Sequence, residues 1–199
     1  MTDWPSQETL GELIGSRICH DLINPLGAIG NGLELLDMGP GDHGEEKALI
    51  ADSLGVAQSR LQFLRIAFGA ASGQEEISQR DIRKALEGIS YGRLDVIWQA
   101  ENPLPRAEVR LAFLLLLCLQ HAMPRGGEIR VLPGEKWLLS GQSSSIRIDN
   151  DLWAHLEGLR QGRAPSPAEV QFALVPRAVH ALARPVDVSF GDDQIELRF

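Results

Sequence analysis

Residues Cys19–Leu36, CHDLINPLGAIGNGLELL, decide the fold of this chain. Around them, Ile14, Ile18, Leu22, Leu26, Ile29, Leu33 and Leu36 recur at spacings of 4, 4, 4, 3, 4 and 3. This is one apolar stripe on a long helix. On a wheel of about 100° per residue, His20 points roughly 170° away from the stripe, into solvent. Asn24 lies one turn on, on the same outward face. Ser16 and Gly27 flank that face and keep the imidazole open to a large partner. Pro25 takes a helix hydrogen bond from the Asp21 carbonyl and bends the helix beside His20.

Downstream, residues 37–44, DMGPGDHG, break this helix. A second helix follows, with Ile50, Leu54, Ala57, Leu61, Leu64 and Phe68 spaced by 4, 3, 4, 3 and 4. That is a coiled-coil-like seam, and Ser72-Gly73 supplies a stop and hinge. Two helices on so short a connection lie antiparallel. A lone hairpin cannot cover both stripes, so pairing two hairpins across a two-fold axis predicts a homodimeric four-helix bundle.

The rhythm changes after about residue 75. Helices are expected at 78–90, 106–123, 152–160 and 167–183. Strands are expected at 93–99, 128–132, 136–140 and 145–149, with a closing hairpin of 186–190 and 194–199 turned by Gly191-Asp192-Asp193. Helices on one side of a sheet make the fold class α+β. The boundaries are 1–73 for the hairpin and 74–199 for the α+β part.

Composition fits this. The chain has 199 residues, 44% hydrophobic and 23% charged, which is ordinary for a globular protein. A net charge of −8 argues against a nucleic-acid partner. The longest apolar run, Leu111–Leu119, is too short for a bilayer. No basic-then-apolar order opens the chain, so the expectation is a cytoplasmic protein without a membrane partner. Cys19 and Cys118 have no CxxC partner, and a disulfide or zinc site is not expected. His121, His155 and His180 fall in different elements, so no metal site is expected. Trp98, Trp137 and Trp153 are read as packing residues, and His43 as a loop residue.

His20-Asp21-Leu22-Ile23-Asn24-Pro25-Leu26 resembles the H-box of two-component histidine kinases, His-(Asp/Glu)-x-x-(Asn/Thr)-Pro-Leu. The resemblance implies that His20 accepts a phosphoryl group, that Asp21 orients the imidazole, and that Asn24 tunes attack and water access. Residues 114–131, LLLLCLQHAMPRGGEIRV, resemble the kinase N-box helix and following strand. The kinase Asn position is Cys118 here, and a thiol does not ligate Mg²⁺. Asp149-Asn150-Asp151-Leu152-Trp153 stands where the kinase has DxGxG, and the lid region 165–179 has no glycine.

A kinase-shaped dimer with a histidine and no nucleotide site resembles the ChpT-type histidine phosphotransferases of alphaproteobacterial phosphorelays. That resemblance implies a C-terminal sandwich of the histidine-kinase ATPase (Bergerat-like) type without an ATP site. It implies no bound cofactor, with Mg²⁺ on the partner receiver domain. The partners implied are the receiver domain of a hybrid histidine kinase and the receiver domains of response regulators. Ser16, Arg17 and Gly27 are candidate partner-binding residues; Arg17 either meets an acidic receiver or is merely solvated. Rival readings are an ATP-dependent kinase, which the missing glycines oppose, and a non-catalytic dimeric scaffold, which the exposed His20 set opposes.

Overall fold

A computed structural model describes residues 5–37, 43–71, 75–90, 93–156 and 163–199. The breaks expected at Gly39-Pro40-Gly41 and Ser72-Gly73, and the 73/74 boundary, lie outside the described residues.

Helix α1 spans Gln7–Asp37 and α2 spans Gly44–Phe68. The Ser6 hydroxyl accepts the Thr9 N–H at the start of α1, and Glu45 and Glu46 sit in the first turn of α2, where the helix dipole favours anions. The two helices pack closely at Gly32, where a Cβ would come 2.6 Å from Ile50 Cγ1. Each predicted stripe splits in two. Ile14, Ile18, Leu22, Ile29 and Leu36 of α1, with Ala57 and Leu64 of α2, are turned at least partly inward. Leu26 and Leu33, with Leu54 and Leu61, stay 47–56% exposed. One hairpin buries only one side of each helix.

The remainder is β1 (Glu76–Ile77), α3 (Gln79–Glu87), β2 (Leu94–Trp98), β3 (Leu104–Pro105), α4 (Arg106–Ala122), β4 (Gly127–Leu132), β5 (Leu138–Gln142), α5 (Asn150–Trp153), a 3₁₀ turn (Pro167–Glu169), α6 (Val170–Leu182), β6 (Asp187–Phe190) and β7 (Gln194–Arg198). Five strands form one sheet in the order β2-β4-β5-β7-β6, with β2 and β4 parallel and the other pairs antiparallel. Strands β1 and β3 form a separate two-residue ribbon that the sequence did not predict.

Helix α4 is the centre. Its run Leu111–Leu119 is wholly buried, because it meets α2, α6 and the sheet on different sides. Phe113 of α4 stacks on Phe63 of α2 at 4.5 Å, so the root of the hairpin shares the α+β core. Gly126 and Gly127, at φ +84° and +144°, make the turn into β4. Trp137 is buried and donates to Glu108 Oε2 at 2.8 Å; Trp98 donates to Gln79 Oε1 at 3.1 Å.

Three expectations are corrected. The strand placed at 136–140 runs at 138–142, and the Trp137–Phe199 backbone pair continues its antiparallel ladder with β7 by one residue. Residues 145–149 are not a strand. Arg147 N–H bonds to the Ala122 carbonyl at the end of α4 rather than to a sheet edge, and Ile146 and Ile148 pack on the core. The helix expected at 152–160 starts earlier, at Asn150, because Asp149 caps it by accepting from Asp151 and Leu152; residues 157–162 lie outside the described residues.

Candidate phosphoacceptor site

The outward face of α1 carries the site. The His20 side chain is 80% exposed, while Asp21 beside it is 6% exposed. Asp21 divides its oxygens: Oδ1 lies 3.2 Å from His20 Nδ1, and Oδ2 accepts from Arg17 Nε and Arg60 Nη2, both at 2.9 Å. Burial pushes the Asp21 carboxyl up, but the Arg60 and Arg17 charges outweigh it and hold it below the usual carboxylate range. An ionised carboxylate only accepts hydrogen bonds. Nδ1 of a neutral His20 therefore carries the proton, and the lone pair is left on Nε2.

His20, Asp21 and Asn24 line one open groove of about 1040 Å³ between α1, α2 and α3, with Lys84 and Glu87 on its α3 side. Ser16 and Gly27 are exposed on α1 but outside the groove lining. Arg17 is not a solvated arginine: it is 11% exposed and turned inward, on Asp21 and on the Ala168 carbonyl at 2.5 Å. Arg60 was missed altogether. Its partner Asp21 is 39 residues away, and no local pattern marks it.

In the region that resembles the kinase nucleotide site, side chains pack on one another. Cys118 is fully buried in α4, and burial raises its thiol well above the ordinary range. Leu152 and Trp153 are buried, with Trp153 edge-on to Phe172 at 5.7 Å and to Phe190 at 5.3 Å. The Arg163 guanidinium bridges Asp149 Oδ2, at 2.8 Å, and both Glu169 oxygens, at 2.7 and 2.8 Å. Glu169 also accepts from the Ser166 N–H and hydroxyl in a capping box. The Arg163 hydrogen bonds, with those from Ser166, pull the Glu169 carboxyl down to about 2. Nothing among the described residues forms a cluster of three or more potential metal ligands, and no described helix is long and apolar enough to cross a membrane.

Residues 79–194 match the family model of the histidine phosphotransferase C-terminal domain. Over 125 residues the chain is 46% identical to the protein phosphotransferase ChpT of Brucella abortus (strain 2308), a match covering 61% of this chain and 59% of that protein. A solved bacterial phosphotransferase structure superposes with a TM-score of 0.77 at 30% identity, over 98% of this chain and 99% of that one. The chain belongs to the ChpT-like histidine phosphotransferase family.

Proposed function

We propose that this protein carries phosphoryl groups between receiver domains of a two-component phosphorelay, with His20 as the carrier. The observation behind this reading is the pairing of a solvent-exposed imidazole with a buried, ionised Asp21 on its Nδ1 side. In the first transfer, Nε2 attacks the phosphorus of a receiver's aspartyl phosphate in line. The N–P bond forms as the acyl P–O bond breaks, and the aspartate leaves as carboxylate. Asp21 stabilises the positive charge that develops on the ring. The second transfer reverses these steps onto the aspartate of a response regulator. The protein's own task is positioning and charge stabilisation; Mg²⁺ belongs to the receiver.

The unit that does this is a homodimer. Leu26, Leu33, Leu54 and Leu61 lie exposed at heptad intervals within each helix, and a second hairpin covers them in a four-helix bundle. The α+β part is a kinase ATPase-like (Bergerat-like) sandwich that does not take ATP; what supports this is Trp153 packed on Phe172 and Arg163 bridging Asp149 and Glu169 in the region that resembles the kinase nucleotide site. It serves as a wall for docking, in the cytoplasm.

The test is transfer from a radiolabelled phosphoreceiver to the wild type and to His20→Gln. The wild type should acquire an acid-labile, base-stable label and His20→Gln none. Absence of label on the wild type contradicts the reading.

A further inference from the structure

The Asp21 carboxylate is held both from its own helix and from α2. Arg17 and Arg60 share Oδ2 and leave Oδ1 to His20. Each arginine then spends another N–H on a backbone carbonyl of the α+β part: Arg17 on Ala168, and Arg60 on Gly88 at 3.1 Å. Gly88 ends α3 with φ −71° and ψ −14°, which any residue adopts. Space is what demands glycine. A Cβ there would fall 2.4 Å from Arg60 N and 2.6 Å from its Cα, so the end of α3 rests on the α2 backbone at Arg60 itself.

We propose that Arg60, seated on the Gly88 carbonyl, is a positioning residue for phosphotransfer: it fixes Asp21 so that Oδ1 takes the Nδ1 proton of His20 and Nε2 faces the phosphorus. This rests on the phosphoacceptor reading of His20. Arg17 reaches Asp21 from the same helix, one turn away, and leans on Ala168; Arg60 reaches it from a second helix and ties the α1 site to α2 and α3 together. The α+β part therefore completes the phosphoacceptor site rather than only flanking it. Lysine supplies the charge without the planar fork needed to serve Asp21 and Gly88 at once.

The probe is potassium phosphoramidate, a small donor that needs no docking surface, applied to the full-length wild type, Arg60→Gln, Arg60→Lys and Gly88→Ala. Retained far-UV circular dichroism and a cooperative urea transition establish that each variant is folded. Phosphorus NMR identifies the isomer formed, and nitrogen-resolved NMR of the unphosphorylated ring identifies its tautomer. The wild type should form Nε2-phosphohistidine from an Nδ1-protonated ring. Arg60→Gln should react about tenfold more slowly, show both ring tautomers and yield some Nδ1 isomer. Gly88→Ala should shift in the same direction, and Arg60→Lys should recover part of the rate. Wild-type rate in Arg60→Gln overturns the proposal. So does a slower rate with tautomer and isomer unchanged, because that marks a merely structural arginine. Should Arg60→Gln not fold, Arg60→Lys and Gly88→Ala decide by the same spectra. Failure of receiver-to-wild-type transfer strikes the functional reading instead, and is seen separately.

Discussion

Two arginine–carboxylate networks stand on the two parts of this chain, and they serve opposite ends. On the hairpin, Arg17 and Arg60 take one oxygen of Asp21 and leave the other for an imidazole that is 80% exposed. On the α+β part, Arg163 takes both oxygens of Glu169 and one of Asp149, and Trp153 is buried against Phe172. The first network holds a reactive group open to a partner. The second spends its charges on one another, Arg163 against Asp149 and Glu169. What separates them is the unshared acceptor: a carboxylate oxygen kept free can orient a neighbour, and one already bonded only holds the fold.

The comparison predicts a separation of activity from stability. The largest effect is on reactivity. His20→Gln should abolish phosphoryl acceptance, and because the side chain is solvated its unfolding free energy in urea should stay within about 0.5 kcal/mol of the wild type. Loss of the fold in that variant breaks the separation. Next, Leu61→Asp places a charge on the exposed seam and should give a monomer by light scattering; an unchanged dimer counts against the bundle. Trp153→Ala should do the reverse of His20→Gln. It costs about 3–5 kcal/mol in urea unfolding, while the folded fraction still accepts phosphoryl from a receiver.

The smallest effect sharpens the second network. The Glu169 carboxyl sits at about 2 against an ordinary 4.5, so its ionised form stabilises the fold above pH 4.5 and loses that contribution as pH falls towards 2. Glu169→Gln should cost about 1 kcal/mol at neutral pH, and the gap to the wild type should close as acid protonates Glu169. A gap that widens in acid contradicts the assignment.

Much of this was legible in residue order. The 3- and 4-residue spacing of Ile14 to Leu36 and Ile50 to Phe68 specified the hairpin, and Leu111–Leu119 specified the central helix, since periodicity survives wherever packing is regular. His20 and Asn24 were legible as one outward face, because they lie one turn apart on a single helix, and Asp21 came with the resemblance to the H-box. Arg60 was not, because its meaning depends on where α2 crosses α1 and where Gly88 lands. The inward turn of Arg17 depends likewise on Ala168, 151 residues away. Residues 145–149 alternated like a strand but had no edge to join; their backbone partner was the end of α4. Local pattern reports which face is apolar, and only tertiary contacts report which polar groups pair.

The contrast between the two networks is tested most directly by offering one wild-type sample two labelled donors side by side, a phosphorylated receiver domain and Mg·ATP. The prediction is label on His20 from the receiver and none from ATP. Label from ATP, or none from the receiver, contradicts it.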